Sequence, residues 1–361
     1  MQLLNQIQNI ANQVQIKSTD FFVSHPNYRS LQLSNDIILQ LQKLPQNIQL
    51  DYLRTLLTKL IFGIYRNDLI PLKKSEASQS DYEILLKNTA SEVDWEFCEK
   101  LINNNQGKGW WNSNFIVLRQ EDDGSLVVQK KGISVHILRD RHLQLEEQSA
   151  VVGDLVSVFT PSGQVIDQFY SAFGDSTTPF RDLVVFIYFN FSPEGAVAVM
   201  KSLTAQLNVN KVSFIFNVLH NPSNYGRYDS GFLQFDKGNY ELVRQVLQSV
   251  YVENDSHFQN QVPLFTKVLA PGIALAEKPA EYEFKFLDDF GMNRCQIVAN
   301  ALLEAHQNNN DLPKARVKYI FKHFEQRGID PERPYLNPNS EDIYAPLDLA
   351  NGVRANSPIA K

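Results

Sequence analysis

The stretch Leu183-Val184-Val185-Phe186-Ile187-Tyr188-Phe189-Asn190-Phe191-Ser192-Pro193-Glu194 decides the fold. Its first seven residues leave neither face of an extended chain polar, which is the pattern of a strand covered on both sides. Ser192 then offers an oxygen to the free amides of a helix. Pro193 has the backbone angle of a first turn, and Glu194 places a negative charge at the positive end of the helix dipole. The helix is predicted to end near Leu207. Working outward, residues 212–219 and 232–235 read as strands and residues 240–250 as a helix. Upstream, residues 115–118, 126–128, 133–138 and 155–159 read as strands, with Asp122-Asp123-Gly124 as a hairpin turn between the first two. Downstream, residues 295–306 and 315–326 are helical, the second closed by Gly328. Alternation of strand and helix is only partial. The prediction is therefore α+β: a mixed, partly antiparallel sheet flanked by helices.

The first hundred residues read differently. Leu3, Leu4, Ile7, Ile10, Ala11 and Val14 share one helical face, and Leu50, Leu53, Leu56, Leu57 and Leu60 another. Ser80-Asp81-Tyr82-Glu83 fits a capping box ahead of Ile84, Leu85, Val93, Phe97 and Leu101. A Gly- and Asn-rich stretch at 103–109 marks the boundary, giving a helical region over 1–105 and an α+β domain over 106–361. The helical region is either a partner-binding module or a cap on the main domain. Its surface lacks a charge or aromatic signature, which favours the cap.

Of the 361 residues, 43% are apolar and 20% charged, and the net charge is −6. This balance excludes wholesale disorder and gives no basic field for nucleic acid or an anionic membrane. Two cysteines, Cys98 and Cys295, exclude a disulfide scaffold and a Cys-rich zinc module. The N-terminus shows no basic start followed by an apolar run, and the most apolar stretches, 60–65 and 183–191, are too short to cross a bilayer. A cytoplasmic protein is expected. Phosphate-cradling, dinucleotide, nucleophile-elbow and His-Glu-x-x-His motifs are missing. The seven histidines never fall at metal-ligand spacing, so neither metal nor cofactor is expected.

Three segments carry cations within otherwise structured sequence. Arg227 lies in Asn221-Pro222-Ser223-Asn224-Tyr225-Gly226-Arg227-Tyr228-Asp229, a loop following a strand, with His220 just ahead of it. A guanidinium there suits a phosphate or carboxylate, or is an ordinary surface Arg in a turn. Lys267 sits inside an apolar run closed by Pro271-Gly272. It either snorkels to water or is desolvated and reactive. Arg294 precedes a helix whose first amides could join it in holding an anion.

The same segments carry a family resemblance. Pro263-Leu264-Phe265-Thr266-Lys267-Val268-Leu269-Ala270-Pro271-Gly272-Ile273-Ala274-Leu275-Ala276-Glu277 resembles a signature of the HopA family, named for a type III secretion effector of plant-pathogenic bacteria. Phe290-Gly291-Met292-Asn293-Arg294-Cys295 is similar to the next block, and Asn221-Pro222 with Tyr225, Arg227 and Asp229 to an earlier one. Gly328-Ile329-Asp330-Pro331-Glu332-Arg333-Pro334-Tyr335-Leu336-Asn337-Pro338 resembles the closing segment. The blocks occur in order over roughly residues 150–345, and the N-terminal helices contribute little.

Related proteins of lanthipeptide and similar peptide natural-product clusters are assigned as lyases that eliminate phosphate from phosphoserine or phosphothreonine after a partner kinase has acted. The resemblance thus implies a phosphoserine/phosphothreonine lyase or a phosphate-binding relative, acting on a phosphorylated peptide or protein. Its alternatives are a non-catalytic, effector-like protein-binding module, or an accessory protein of a peptide-modifying complex. It is also compatible with export by a type III-like route. β-Elimination needs a base, an acid and cations around the dianion. Arg227, Arg294 and Lys267 fit the phosphate role, Lys267 also that of base, and His220 that of acid. The resemblance further implies a basic Lys in the strand segment Phe214-Ile215-Phe216-Asn217-Val218-Leu219. Asn217 stands there instead, and an amide cannot take a proton at neutral pH.

Overall fold

The computed structural model describes residues 2–31, 33–66, 93–176, 180, 183–279 and 289–349. Helix α1 (Gln2–Gln13) is followed by three short strands, β1 (Gln15–Lys17), β2 (Phe22–His25) and β3 (Tyr28–Leu31), and by α2 (Asn35–Leu41) and α3 (Gln46–Arg66). Strands of three or four residues are too brief to show a period, so the β1-β2-β3 sheet was not foreseen in a region read as helical. Helix α4 (Trp95–Asn104) is capped by Asp94, which accepts from the Phe97 amide at 2.9 Å. The Ser80 box, with Ile84 and Leu85, lies outside the described residues.

A four-stranded sheet follows, made of β4 (Trp110–Gln120), β5 (Leu126–Lys130), β6 (Ile133–Ile137) and β7 (Leu155–Thr160) in the order β6-β5-β4-β7. The short helix α5 (Arg139–His142) and the chain up to Ala150 cover one face. Phe115, Val117, Leu126, Val128, Ile137, Leu143, Ala150, Val156 and Val158 form a core of their own there.

The larger sheet contains β8 (Gly163–Ile166), β9 (Phe169–Phe173), β10 (Val184–Phe189), β11 (Phe214–Leu219), β12 (Gly231–Asp236), β13 (Lys267–Ala270) and β14 (Ile273–Glu277). Its order is β13-β14-β10-β12-β11-β9-β8. Helix α6 (Pro193–Val209) joins β10 to β11, and α7 (Tyr240–Asn254) follows β12. Helices α8 (Asp289–Gln307) and α9 (Pro313–Gln326) are the last regular elements among the described residues. As the quoted stretch predicts, β10 is central, and Ser192 caps α6 by accepting from the Gly195 amide at 3.1 Å. Both faces of β10 are covered: Tyr188 meets Phe290 of α8, and Phe189 meets Phe258 beyond α7.

The mixed sheet needs a correction. Every ladder among the described residues is antiparallel. The β10-α6-β11 crossover does make β10 and β11 run the same way, but β12 returns between them and pairs antiparallel with both. A helix that skips one strand leaves a gap that the next hairpin fills.

The helical N-terminal region does not form a separate core. Ile7, Ile10, Ala11 and Val14 of α1, and Leu53 to Tyr65 of α3, belong to the same buried cluster as the seven-stranded sheet. Helix α3 packs on α8, α8 on α9, and α9 on α1.

Candidate functional site

His220 and Arg227 act on one feature, the two-residue turn Asp167-Gln168 between β8 and β9. His220 is fully buried. Its Nε2 lies 2.9 Å from the Asp167 carbonyl, which can only accept, so Nε2 carries the proton. Its amide donates to the Gln168 carbonyl at 3.2 Å. Arg227 gives Nη1 to Gln168 Oε1 at 2.7 Å, and a two-pronged contact from Nε and Nη2 to Asp229 at 2.9 and 2.7 Å. Burial pushes the Asp229 carboxyl up, but Arg227, with help from Arg66, outweighs it and holds the group below its usual range. The guanidinium is thus committed to a buried carboxylate, and the imidazole to a carbonyl.

Asn217, in the middle of β11, is 1% exposed. Its Oδ1 accepts from the Ser171 hydroxyl of β9 at 2.7 Å, the two residues facing one another in the ladder.

Arg294, Lys267 and two groups that sequence reasoning did not single out, Lys237 and Glu277, grip the same object. This is a strap over residues 329–348 without helix or strand. Arg294 was expected just ahead of a helix. Helix α8 in fact begins at Asp289, so Arg294 lies inside it, away from the free amides. Its side chain is 1% exposed. It donates to the carbonyls of Pro334 (2.7 Å) and Leu336 (3.0 Å) and to Asn293 Oδ1 (2.5 Å). Its guanidinium carbon is 4.9 Å from the Phe290 ring centre. Burial pulls the guanidinium down to about 10, so it is still charged at neutral pH.

Lys267 begins β13 and neither snorkels nor sits bare. Its ammonium contacts both oxygens of Asp342 at 2.8 Å. The Tyr335 hydroxyl donates to the same carboxylate at 2.6 Å, and the Tyr335 ring lies 5.3 Å from Lys267 Nζ. Burial raises the Asp342 carboxyl, and the hydrogen bonds from Lys267 and Tyr335 more than reverse that.

Glu277, fully buried at the end of β14, takes donors from Lys237 (2.9 Å), Ser340 (2.6 Å), Tyr344 (2.7 Å) and the Asn337 amide (2.8 Å). The available signal was a lone Glu closing the apolar run Ile273-Ala274-Leu275-Ala276, as informative as Lys267 in its own run. Asp342 and Tyr335 gave no periodic sign.

The structure therefore brings two of the expected phosphate ligands together and leaves the third apart. Lys267 and Arg294 hold neighbouring parts of the strap. Arg227 lies beside β11, four strands from β13 and roughly 19 Å away across the sheet at ~4.8 Å per strand. The loop carrying Arg227 does border a cleft of about 350 Å³ at the start of α6, but through Tyr225, Gly226 and Tyr228. A second cleft of about 440 Å³ lies between α3, α8 and α9, beside Arg54, Glu304, His323 and Arg327. There Glu304 accepts from Lys322 at 2.8 Å and pairs with His323, and these bonds hold its carboxyl below the usual range.

These features define an α+β protein with an all-antiparallel central sheet, whose buried cations fasten a hairpin turn and a C-terminal strap. Residues 160–336 match the HopA1 effector protein family. Two solved structures are similar over most of the chain. One is the effector protein from Pseudomonas syringae pv. tomato strain DC3000, at 14% identity and a TM-score of 0.44, covering 83% of this chain and 94% of that one. The other is the effector protein from Pseudomonas syringae pv. syringae strain 61, at 15% identity and a TM-score of 0.43, covering 84% and 94%. No curated protein matches the chain. Among the described residues no helix is long and apolar enough to cross a membrane.

Proposed function

We propose that this chain is a non-catalytic, effector-like protein-binding module rather than a phosphoserine/phosphothreonine lyase. One observation carries the reading: each of the three cations that the sequence puts forward for a phosphate dianion already has an internal partner. Arg227 holds Asp229, Lys267 holds Asp342, and Arg294 holds two strap carbonyls. Prising Arg227 from its buried carboxylate costs on the order of 3–5 kcal/mol. That is about half of the ~8 kcal/mol available to a micromolar ligand. The base position is equally occupied, because Asn217 is neutral and bonded to Ser171. His220 is committed to the Asp167 carbonyl and has no path to a leaving group.

The test is to incubate the full chain with a panel of phosphoserine and phosphothreonine peptides and to follow them by mass spectrometry. The expected result is no loss of phosphoric acid. A dehydroamino-acid product, reduced by Arg227→Ala or Lys267→Ala in proportion beyond their loss of folded protein, would overturn the reading and establish the lyase.

A further inference from the structure

The geometry points to β6 as a docking edge for an extended acidic peptide, which adds a fifth strand to the sheet β6-β5-β4-β7. The inference rests on the binding-module reading and supplies its surface and its partner chemistry. Strand β6 joins β5 through the two-residue turn Lys131-Gly132, both at positive φ (49° and 81°), the geometry of a tight hairpin. In such a hairpin the flanking pair, Lys130 and Ile133, exchanges both backbone hydrogen bonds, and bonded and non-bonded pairs alternate from there. Val135 and Ile137 therefore also bond to β5. Ser134 and His136 direct their amides and carbonyls away from the sheet, and the described residues provide no partner for them. Donor and acceptor at alternate residues, two residues apart, are what an added strand requires.

The side chains agree with the backbone. Ile133 and Val135 lie on the same face as buried Val128 yet are 69% and 39% exposed, since they stand beyond the small core. They offer apolar contact to alternate residues of an incoming strand. The partner's charge follows from the ends of the edge. In a chain of net charge −6, residues 130–141 contain Lys130, Lys131, Arg139 and Arg141 against Asp140 alone. Two of these cations are used internally. Lys130 donates to Asn112 and the Ser113 carbonyl, and Arg139 to Gln120 and to the carbonyls of Gly124, Gln148 and Ala150. Lys131 and Arg141, one at each end of β6, are exposed and have no acidic partner among the described residues. An antiparallel second copy would bring Lys131 of one chain towards Arg141 of the other, a like-charge contact that opposes self-pairing. A peptide with carboxylates at both ends meets attraction at both. One edge strand of the larger sheet, β13, is by contrast already covered, because the Leu347 amide of the strap donates to Leu269.

The test uses the full chain and a fluorescein-labelled peptide of alternating Val and Thr with two Glu residues at each end, with a Lys-flanked peptide as control. Ser134→Pro removes the outward amide and an exposed hydroxyl that accepts from Gln129 Nε2 at 3.2 Å, so it blocks strand addition while leaving the backbone ladder to β5 whole. Lys131→Asn with Arg141→Gln removes the flanking charge at positions that tolerate it. Expected are saturable binding of the Glu-flanked peptide by fluorescence anisotropy and at least tenfold weaker binding of the Lys-flanked one. Ser134→Pro, with an unchanged Tm, should weaken binding at least tenfold, and the charge variant should weaken it and flatten its salt dependence. Equal affinity of wild type and Ser134→Pro, or no preference for Glu over Lys flanks, would overturn the docking edge while leaving the binding-module reading to its own mass-spectrometric test. A chain that sediments as a dimer and reverts to monomer on Ser134→Pro would assign the edge to a second copy and equally overturn the acidic-peptide proposal.

Discussion

Replacing Glu277 by Ala should loosen the strap before it does anything else. The carboxylate is fully buried and receives Lys237, Ser340, Tyr344 and the Asn337 amide. Its removal leaves an ammonium whose side chain is only 18% exposed without its counter-charge, and the Asn337 amide without an acceptor. Lys237 keeps the Ser340 hydroxyl and the Glu341 carbonyl, which soften the loss. Breaking one half of a buried pair costs about 3–5 kcal/mol, with a midpoint of ~4. For a chain of 361 residues, an unfolding entropy near 2 cal/mol/K per residue converts that into a Tm lower by about 5 °C. Glu277→Gln keeps the size and one acceptor oxygen and should lose roughly half as much. The assay is thermal unfolding by circular dichroism, paired with hydrogen exchange at Asn337 and Leu347, whose amides tie the strap to Glu277 and Leu269. Exchange at both should accelerate in Glu277→Ala by more than the global stability loss alone explains. A variant that melts within about 1 °C of wild type, with the Asn337 amide still protected, would refute the view that this carboxylate organises the strap.

Three further outcomes follow from named contacts. Asp229, held below 3.8 by Arg227 despite its burial, has a lower pKa folded than unfolded, so its stabilising share is present above that value and fades as pH falls through the folded pKa. The Tm gap between wild type and Asp229→Asn should therefore be widest near neutrality and narrow below about pH 4. Asn217→Lys would bury an ammonium at a 1%-exposed position in the ladder beside Ser171. It should cost several kcal/mol by denaturant titration, about 3 or more, and gain no phosphate elimination in the peptide assay, since the cations keep their partners. Gly272 has φ +74°, and a β-carbon there would stand 2.3 Å from the Gln259 carbonyl oxygen, so Gly272→Ala should lower stability by about 2 kcal/mol or more in the same titration.

The elements that were legible are those whose signal is local. The double-sided apolar run of β10, the Ser192 cap and the Gly328 stop need no partner to be recognised, because strand burial, capping and left-handed backbone act over a few residues. The resemblance over residues 160–336 was legible for a related reason, as the chemistry of Lys267, Arg294 and their neighbours is written in contiguous blocks. Strands β1 to β3, β8, β9, β13 and β14 were not, being three to five residues long. For the site, the sequence announced one cation within an apolar run, Lys267, while Arg227 read as a loop residue and Arg294 as one ahead of a helix, and the burial of both arginines became visible only in the fold.

Tertiary structure alone decided what those cations hold. Asp229 stands two residues from Arg227, yet only the closed loop turns both carboxylate oxygens to the fork. Asp342 is 75 residues from Lys267, and Pro334 is 40 from Arg294. A charge in sequence has no partner until the chain closes on itself. Once water is excluded, the nearest opposite charge or carbonyl outweighs any ligand still in solution.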